Sequence, residues 1–198
     1  VSRDLLVLVL TLQRYSRVCA WAAKWLAAVA GFLPLLFGEV QGMNMFPIGL
    51  AILCLNTPIC TLLSCDPDLE QAIRVLPGQA ERFCRKYCLF IFAINSIVAC
   101  IYLCSWQLIN SGTGFVHGIT FLLFALQSAI LSVILEWKRP IRGWKTESDL
   151  WHHPRKYLVP LIMLLAAALV GIWPPALWIW AAALLTECCV LLVVTRRD

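Results

Sequence analysis

Apolar residues run through this chain in long blocks broken by short polar joints, and the blocks have the length a bilayer-crossing helix requires. Six are distinguishable, at about 18–38, 45–64, 87–108, 115–137, 157–172 and 175–195. A helix rises about 1.5 Å per residue, so roughly 20 apolar residues cover a hydrocarbon core of about 30 Å. The joints carry turn chemistry: Asn110-Ser111-Gly112-Thr113-Gly114 between the third and fourth blocks, and Trp173-Pro174-Pro175 between the fifth and sixth. Proline cannot continue the helix that precedes it. The fifth block is at the short end of what can cross, so a re-entrant hairpin of the last two blocks stands as the alternative to two full crossings, which is the reading adopted. Pro47 and Pro58 fall inside the second block, where neighbouring helices must re-satisfy the backbone groups they free. The pattern predicts an all-α, polytopic membrane protein forming a single domain over residues 1–198.

Ahead of the first block, residues 5–12 are apolar but too few to span, and Gln13 and Arg14 follow them. They read as an interfacial helix; a signal peptide fits less well because no A-x-A-like cleavage site follows. Val1 is compatible with an alternative start or with a trimmed, longer chain.

One polar joint has a periodicity of its own. Asp66 and Pro67 read as the N-cap and first residue of a helix. Leu69, Ala72, Ile73 and Leu76 then recur at helical spacing as one apolar stripe, with Asp68, Glu70, Gln71 and Arg74 off it, and Pro77-Gly78 ends the element. The expectation is a short amphipathic helix, about 15 Å long, lying across the mouth of the bundle between spans two and three. It would either rest on lipid or dock a partner.

Charge gives the blocks an orientation. The 16 Lys and Arg residues all fall on one side of the predicted topology: before or at the mouth of span one, in the 65–87 and 136–156 joints, and after the last span. The alternate joints, 39–46, 107–117 and 172–175, carry none. Cytoplasmic loops are the ones enriched in Lys and Arg, so both termini are expected in the cytoplasm of a cell-membrane protein. Apolar residues make up 61% of the chain and charged residues 14%, which leaves too little polar surface for a soluble globular domain. The net charge of +5 therefore reads as topology-setting and lipid-contacting, not as a nucleic-acid footprint.

The ten cysteines lie within spans or on the cytoplasmic side, and none of the outer joints carries a pair. They read as packing residues; the four-residue spacing of Cys84/Cys88 and Cys100/Cys104 is not that of a thiol-redox motif. His152 and His153 beside Asp149 lack a third ligand at suitable spacing, so no metal site is expected. No catalytic constellation stands out, and none of the phosphate-loop form that would bind ATP. Glu187 is the one acidic residue deep within a block. A charge there costs about 2.5–3.5 kcal/mol on insertion scales, so it must face the bundle, a cavity or a partner. A substrate or proton path is one role for it; a hydrogen bond to Thr186, Asn56, Asn95 or Gln127 is the commoner one.

The span, short helix, Leu76-Pro77 step and basic turn of Arg82, Arg85 and Lys86 resemble the permease subunits of ABC-2-type exporters. So does the second cytoplasmic joint, where Glu136, Pro140, Ile141, Arg142 and Trp144 stand in a similar arrangement. The likeness covers residues 45–195, with Ile141-Arg142 replacing the usual Lys-Leu and a divergent polar stretch over 146–154. The resemblance implies that a separate ABC ATPase chain, carrying ATP and Mg, docks on Leu69, Ala72, Ile73, Arg74, Leu76, Pro77 and Gly78, and on Pro140, Arg142 and Trp144. It also implies a second permease copy or a related permease, membrane lipids as surroundings, no bound cofactor and no enzymatic activity in this chain alone. Glu187, Asn56, Asn95 and Gln127 become candidates to line the path of a hydrophobic, amphiphilic or peptide-like substrate. The competing readings are a non-transporting scaffold or accessory subunit and, further off, a membrane enzyme acting on lipid.

Overall fold

The structure, a computed structural model, describes residues 29, 31, 34–35, 39–40, 43–54, 60, 62–65, 67–75, 79–110, 114–141 and 153–197. The N-terminal interfacial helix and nearly all of predicted span one lie outside these residues. A small antiparallel hairpin, β1 (Glu39–Val40) and β2 (Met43–Asn44), comes first. It is followed by α1 (Phe46–Leu53), α2 (Leu62–Cys65) and α3 (Pro67–Val75). The long helices α4 (Gln79–Ile109) and α5 (Gly114–Lys138) form an antiparallel pair. A 3-10 turn (Pro154–Tyr157) leads into α6 (Leu158–Ile172), and α7 (Ala176–Arg197) closes the chain.

The all-α expectation holds apart from the hairpin. Three described helices, α4, α5 and the Ala176–Val193 part of α7, are long and apolar enough to cross a membrane, which points to a membrane-associated chain. The helix α6, with 15 residues, is shorter. The limits of α5 to α7 and the end of α4 fall close to the predicted block limits, where Gly112, Gly114, Pro174 and Pro175 interrupt the apolar runs. The helix α4, however, begins at Gln79, so the expected basic turn of Arg82, Arg85 and Lys86 is instead the first turns of that helix.

The second block differs from its expected single helix. The helix α1 has 8 residues and its last backbone bond runs from the N–H of Cys54 to the carbonyl of Leu50, 2.9 Å. The next described helix in the block, α2, has only 4 residues. The sequence supplies the reason: the residue four beyond Cys54 is Pro58, which has no N–H to give the Cys54 carbonyl. That carbonyl instead accepts from the Ser128 hydroxyl of α5 at 2.6 Å.

Two apolar clusters fill the bundle. One gathers Phe46, Leu50, Leu53, Tyr102, Trp106, Phe124 and Met163, where α1 packs against α4, α5 and α6. The other gathers Leu63, Ile73, Phe83, Tyr87, Ile91, Val133 and Trp137, and around it lie Arg74, Arg82, Arg85, Lys138 and Arg139, which makes this the basic end. The opposite end is closed by rings. Phe46 lies 5.3 Å from Tyr102, 5.2 Å from Trp106 and 4.4 Å from His117 between ring centres. The side-chain amide of Gln107 donates to Nδ1 of His117 at 2.9 Å, fixing the register of α4 against α5.

The hairpin rests on α6 at a glycine. A Cβ on Gly171 would lie 2.6 Å from the Asn44 carbonyl oxygen, inside any real carbon–oxygen contact. Asn44 also starts α1, since its side-chain oxygen accepts from the Phe46 N–H at 2.9 Å. Gly171→Ala must push β2 away and disturb that start. The expected loss is about 1–3 kcal/mol, the usual range for overpacking a close contact, read as a lowered thermal midpoint in lipid nanodiscs; an unchanged midpoint would show that the hairpin is not seated there.

Candidate docking helix and intramembrane polar pair

The short helix α3 forms where it was expected, but it is turned about its axis. Glu70, polar by sequence, is buried, as is Ile73, whereas Gln71, Ala72 and Val75 are exposed. The expected stripe is therefore split: Ala72 faces out while its neighbour Ile73 packs into the core. The cause is an ion pair with a long reach. Arg74 Nε donates to Glu70 at 2.9 Å, one helical turn back. Its Nη2 then donates to the Trp137 carbonyl at 2.5 Å, and the guanidinium lies 4.4 Å from the Trp137 ring centre. A planar guanidinium can donate in plane and stack on an aromatic face at once. Burying the Glu70–Arg74 pair with Ile73 brings the other face of α3 to the surface.

A second connection lies alongside. Glu136, in the last turn of α5, is fully buried. Its carboxylate accepts from the Ser64 N–H at 3.0 Å and from the Ser64 hydroxyl at 2.9 and 3.0 Å. Arg155 of the 3-10 turn, itself 14% exposed, pairs with the same carboxylate and also donates to the Arg139 carbonyl. Ser64 Oγ in turn accepts from the Ile141 N–H at 2.8 Å. One carboxylate thus joins α2, the end of α5 and the start of α6. Together with Arg74, this couples α3 to two helices of the bundle through oriented, charge-assisted bonds.

From sequence, the basic residues as a group, Arg155 among them, read as topology-setting and lipid-contacting, and Ser64 carried no expected partner. Nothing local signals the contact: Ser64 is 72 residues from Glu136 and Arg155 is 19. His153, considered beside a metal, instead caps the 3-10 turn, its Nδ1 accepting from the Arg155 N–H at 3.3 Å. Among the described residues, no group of three or more metal-ligating side chains forms. Pro140, half-buried, lies two residues beyond the end of α5. Leu76, Pro77, Gly78, Arg142, Trp144 and Asn56 lie outside the described residues; Leu69 belongs to α3, and its side chain is not described.

Of the candidates at membrane depth, Gln127 and Glu187 come together. The Gln127 side-chain amide, fully buried on α5, donates to Glu187 Oε2 on α7. Thr186, the one hydroxyl among the candidate partners of Glu187, is exposed and donates to the Ala183 carbonyl of its own helix at 2.7 Å. Asn95 is buried on α4; the Gln107–His117 bond sets the register that puts it level with α5 within about a turn of Gln127.

No family model, curated protein or solved structure matches the chain. The reading of function therefore rests on these two sites.

Proposed function

We propose that the chain is the membrane permease subunit of an ATP-driven exporter, carrying hydrophobic, amphiphilic or peptide-like cargo and powered by a separate ATPase chain that holds ATP and Mg. In this reading six spans cross the cell membrane, the basic end and both termini are cytoplasmic, and two permease subunits face each other. The observation that carries it is the mounting of α3: Arg74 bonds Glu70 and the Trp137 carbonyl together, so a push on the helix is delivered to the end of α5. The Glu136–Arg155 pair extends that connection to α6.

A helix resting passively on lipid would turn its apolar side outward. Here the exposed face is mixed, with Gln71 and Ala72 beside Val75, which is 72% exposed. Such a face suits a protein partner. ATP binding would favour whichever permease state its ATPase contacts better, and the shift cannot exceed that difference in affinity. Purification of the full chain in mild detergent is expected to bring down a chain with a Walker-motif ATP site. Recovery with a non-ATPase partner alone would instead establish the scaffold reading.

A further inference from the structure

We infer that Gln127 and Glu187 form a binding site for the donor-bearing cationic head of an amphiphile, an alkylammonium being the simplest member of the class. The inference begins with unused hydrogen-bonding capacity. An ionised carboxylate has about four acceptor sites and no donor. Among the described residues, Glu187 receives one bond, from Gln127. That bond leaves Gln127 Oε1 buried and without a partner. Among the described residues the pair therefore holds an unmatched acceptor on each residue, enclosed on Gln127 and half-buried on Glu187, and no positive charge. Buried acceptors are rarely left so.

Among the described residues, Glu187 makes no ion pair with a basic side chain. Arg74 and Arg155 are engaged with Glu70 and Glu136 at the basic end. The indole N–H of Trp180, also without a partner, is seven residues from Glu187 on the same face of α7, about 10 Å along the axis. The adjoining cluster brings apolar side chains, Leu126, Ile130, Leu184 and Leu191, and buried Asn95 lies on the facing α4.

Access comes from the flank of α7. Glu187 is only half-buried, and next to it Thr186 and Val190 are exposed. An amphiphile in the bilayer can slide its head toward the carboxylate while its tail stays against the apolar flank. An ammonium supplies three donors and the missing charge together. A neutral lipid tail supplies neither, and an anionic head would meet repulsion.

This inference deepens the transporter reading by naming a cargo class, but its test needs no ATPase. The full chain in nanodiscs of zwitterionic lipid is titrated with dodecylammonium and with dodecyltrimethylammonium, binding being followed by tryptophan fluorescence. Dodecylammonium is expected to bind at least about tenfold more tightly than the trimethyl compound, which has the charge but no N–H donor. Glu187→Gln, nearly isosteric, should lose that advantage, and Gln127→Met should lose part of it, with thermal midpoints confirming that both variants fold. Equal affinity of the wild type and Glu187→Gln overturns the site. So does equal binding of the two amphiphiles, or a change in copies per particle in Glu187→Gln, which would mean a second chain supplies the donor. Selective binding without any co-purifying ATPase would keep the site and discard the exporter.

Discussion

Glu136→Ala is expected to cost about 3–5 kcal/mol of stability, the range for removing one partner of a buried ion pair. The carboxylate is wholly buried, and its loss leaves the Arg155 guanidinium, 14% exposed, without its counter-charge. It also leaves the Ser64 N–H without the acceptor now at 3.0 Å. Against a typical total of about 5–15 kcal/mol, that is a large fraction. Denaturation in mixed micelles should show it as a lower midpoint. The double replacement Glu136→Met with Arg155→Met separates charge from packing: an apolar pair of similar volume often matches a buried ion pair, so most of the loss should return. If Glu136→Ala is as stable as the wild type, the pair does not hold the basic end together.

Ala72→Asp combined with Val75→Asp should abolish coupling to a motor chain while leaving insertion and folding intact. Both side chains are exposed, so nothing inside the bundle needs them. At a docking surface, a central contact is worth about 2 kcal/mol on truncation, or about thirtyfold in affinity, and a buried carboxylate adds a desolvation penalty. Permease-stimulated ATP hydrolysis in reconstituted vesicles is the measurement. The control is Ile73→Asp, which places a charge in the core beside Phe83 and Trp137 and should fail by unfolding. Undiminished stimulation in the double variant would remove α3 from the interface.

The contrast between those two substitutions shows where local pattern stops being informative. Ala72 and Ile73 share a stripe in the sequence, but the side of α3 that turns inward is chosen by Arg74, whose partner Trp137 is 63 residues away. A helical wheel contains no such information. Whereas the polar first turns of α4, from Gln79, read as a turn, the joints between α4 and α5 and between α6 and α7 were legible because apolar runs met glycine and proline, a purely local matter. The existence of α3 was legible for the same reason, through Asp66-Pro67. Glu187 stood out by its cost in hydrocarbon, and Gln127 was among its candidate partners. The choice of Gln127 over Thr186 depended on how α5 meets α7. The aromatic closure around Phe46 was missed, since Tyr102, Trp106 and His117 are ordinary residues until α1 reaches them.

The interruption of the second apolar block has a remote dependency. Ser128 lends the proton that Pro58 withholds, satisfying the Cys54 carbonyl from a position 74 residues downstream. Alanine at position 128 would remove only the hydroxyl, stranding a bare peptide oxygen in an oily interior. The proline and its distant serine thus depend on each other: with an N–H at position 58, that carbonyl would no longer need the hydroxyl at position 128.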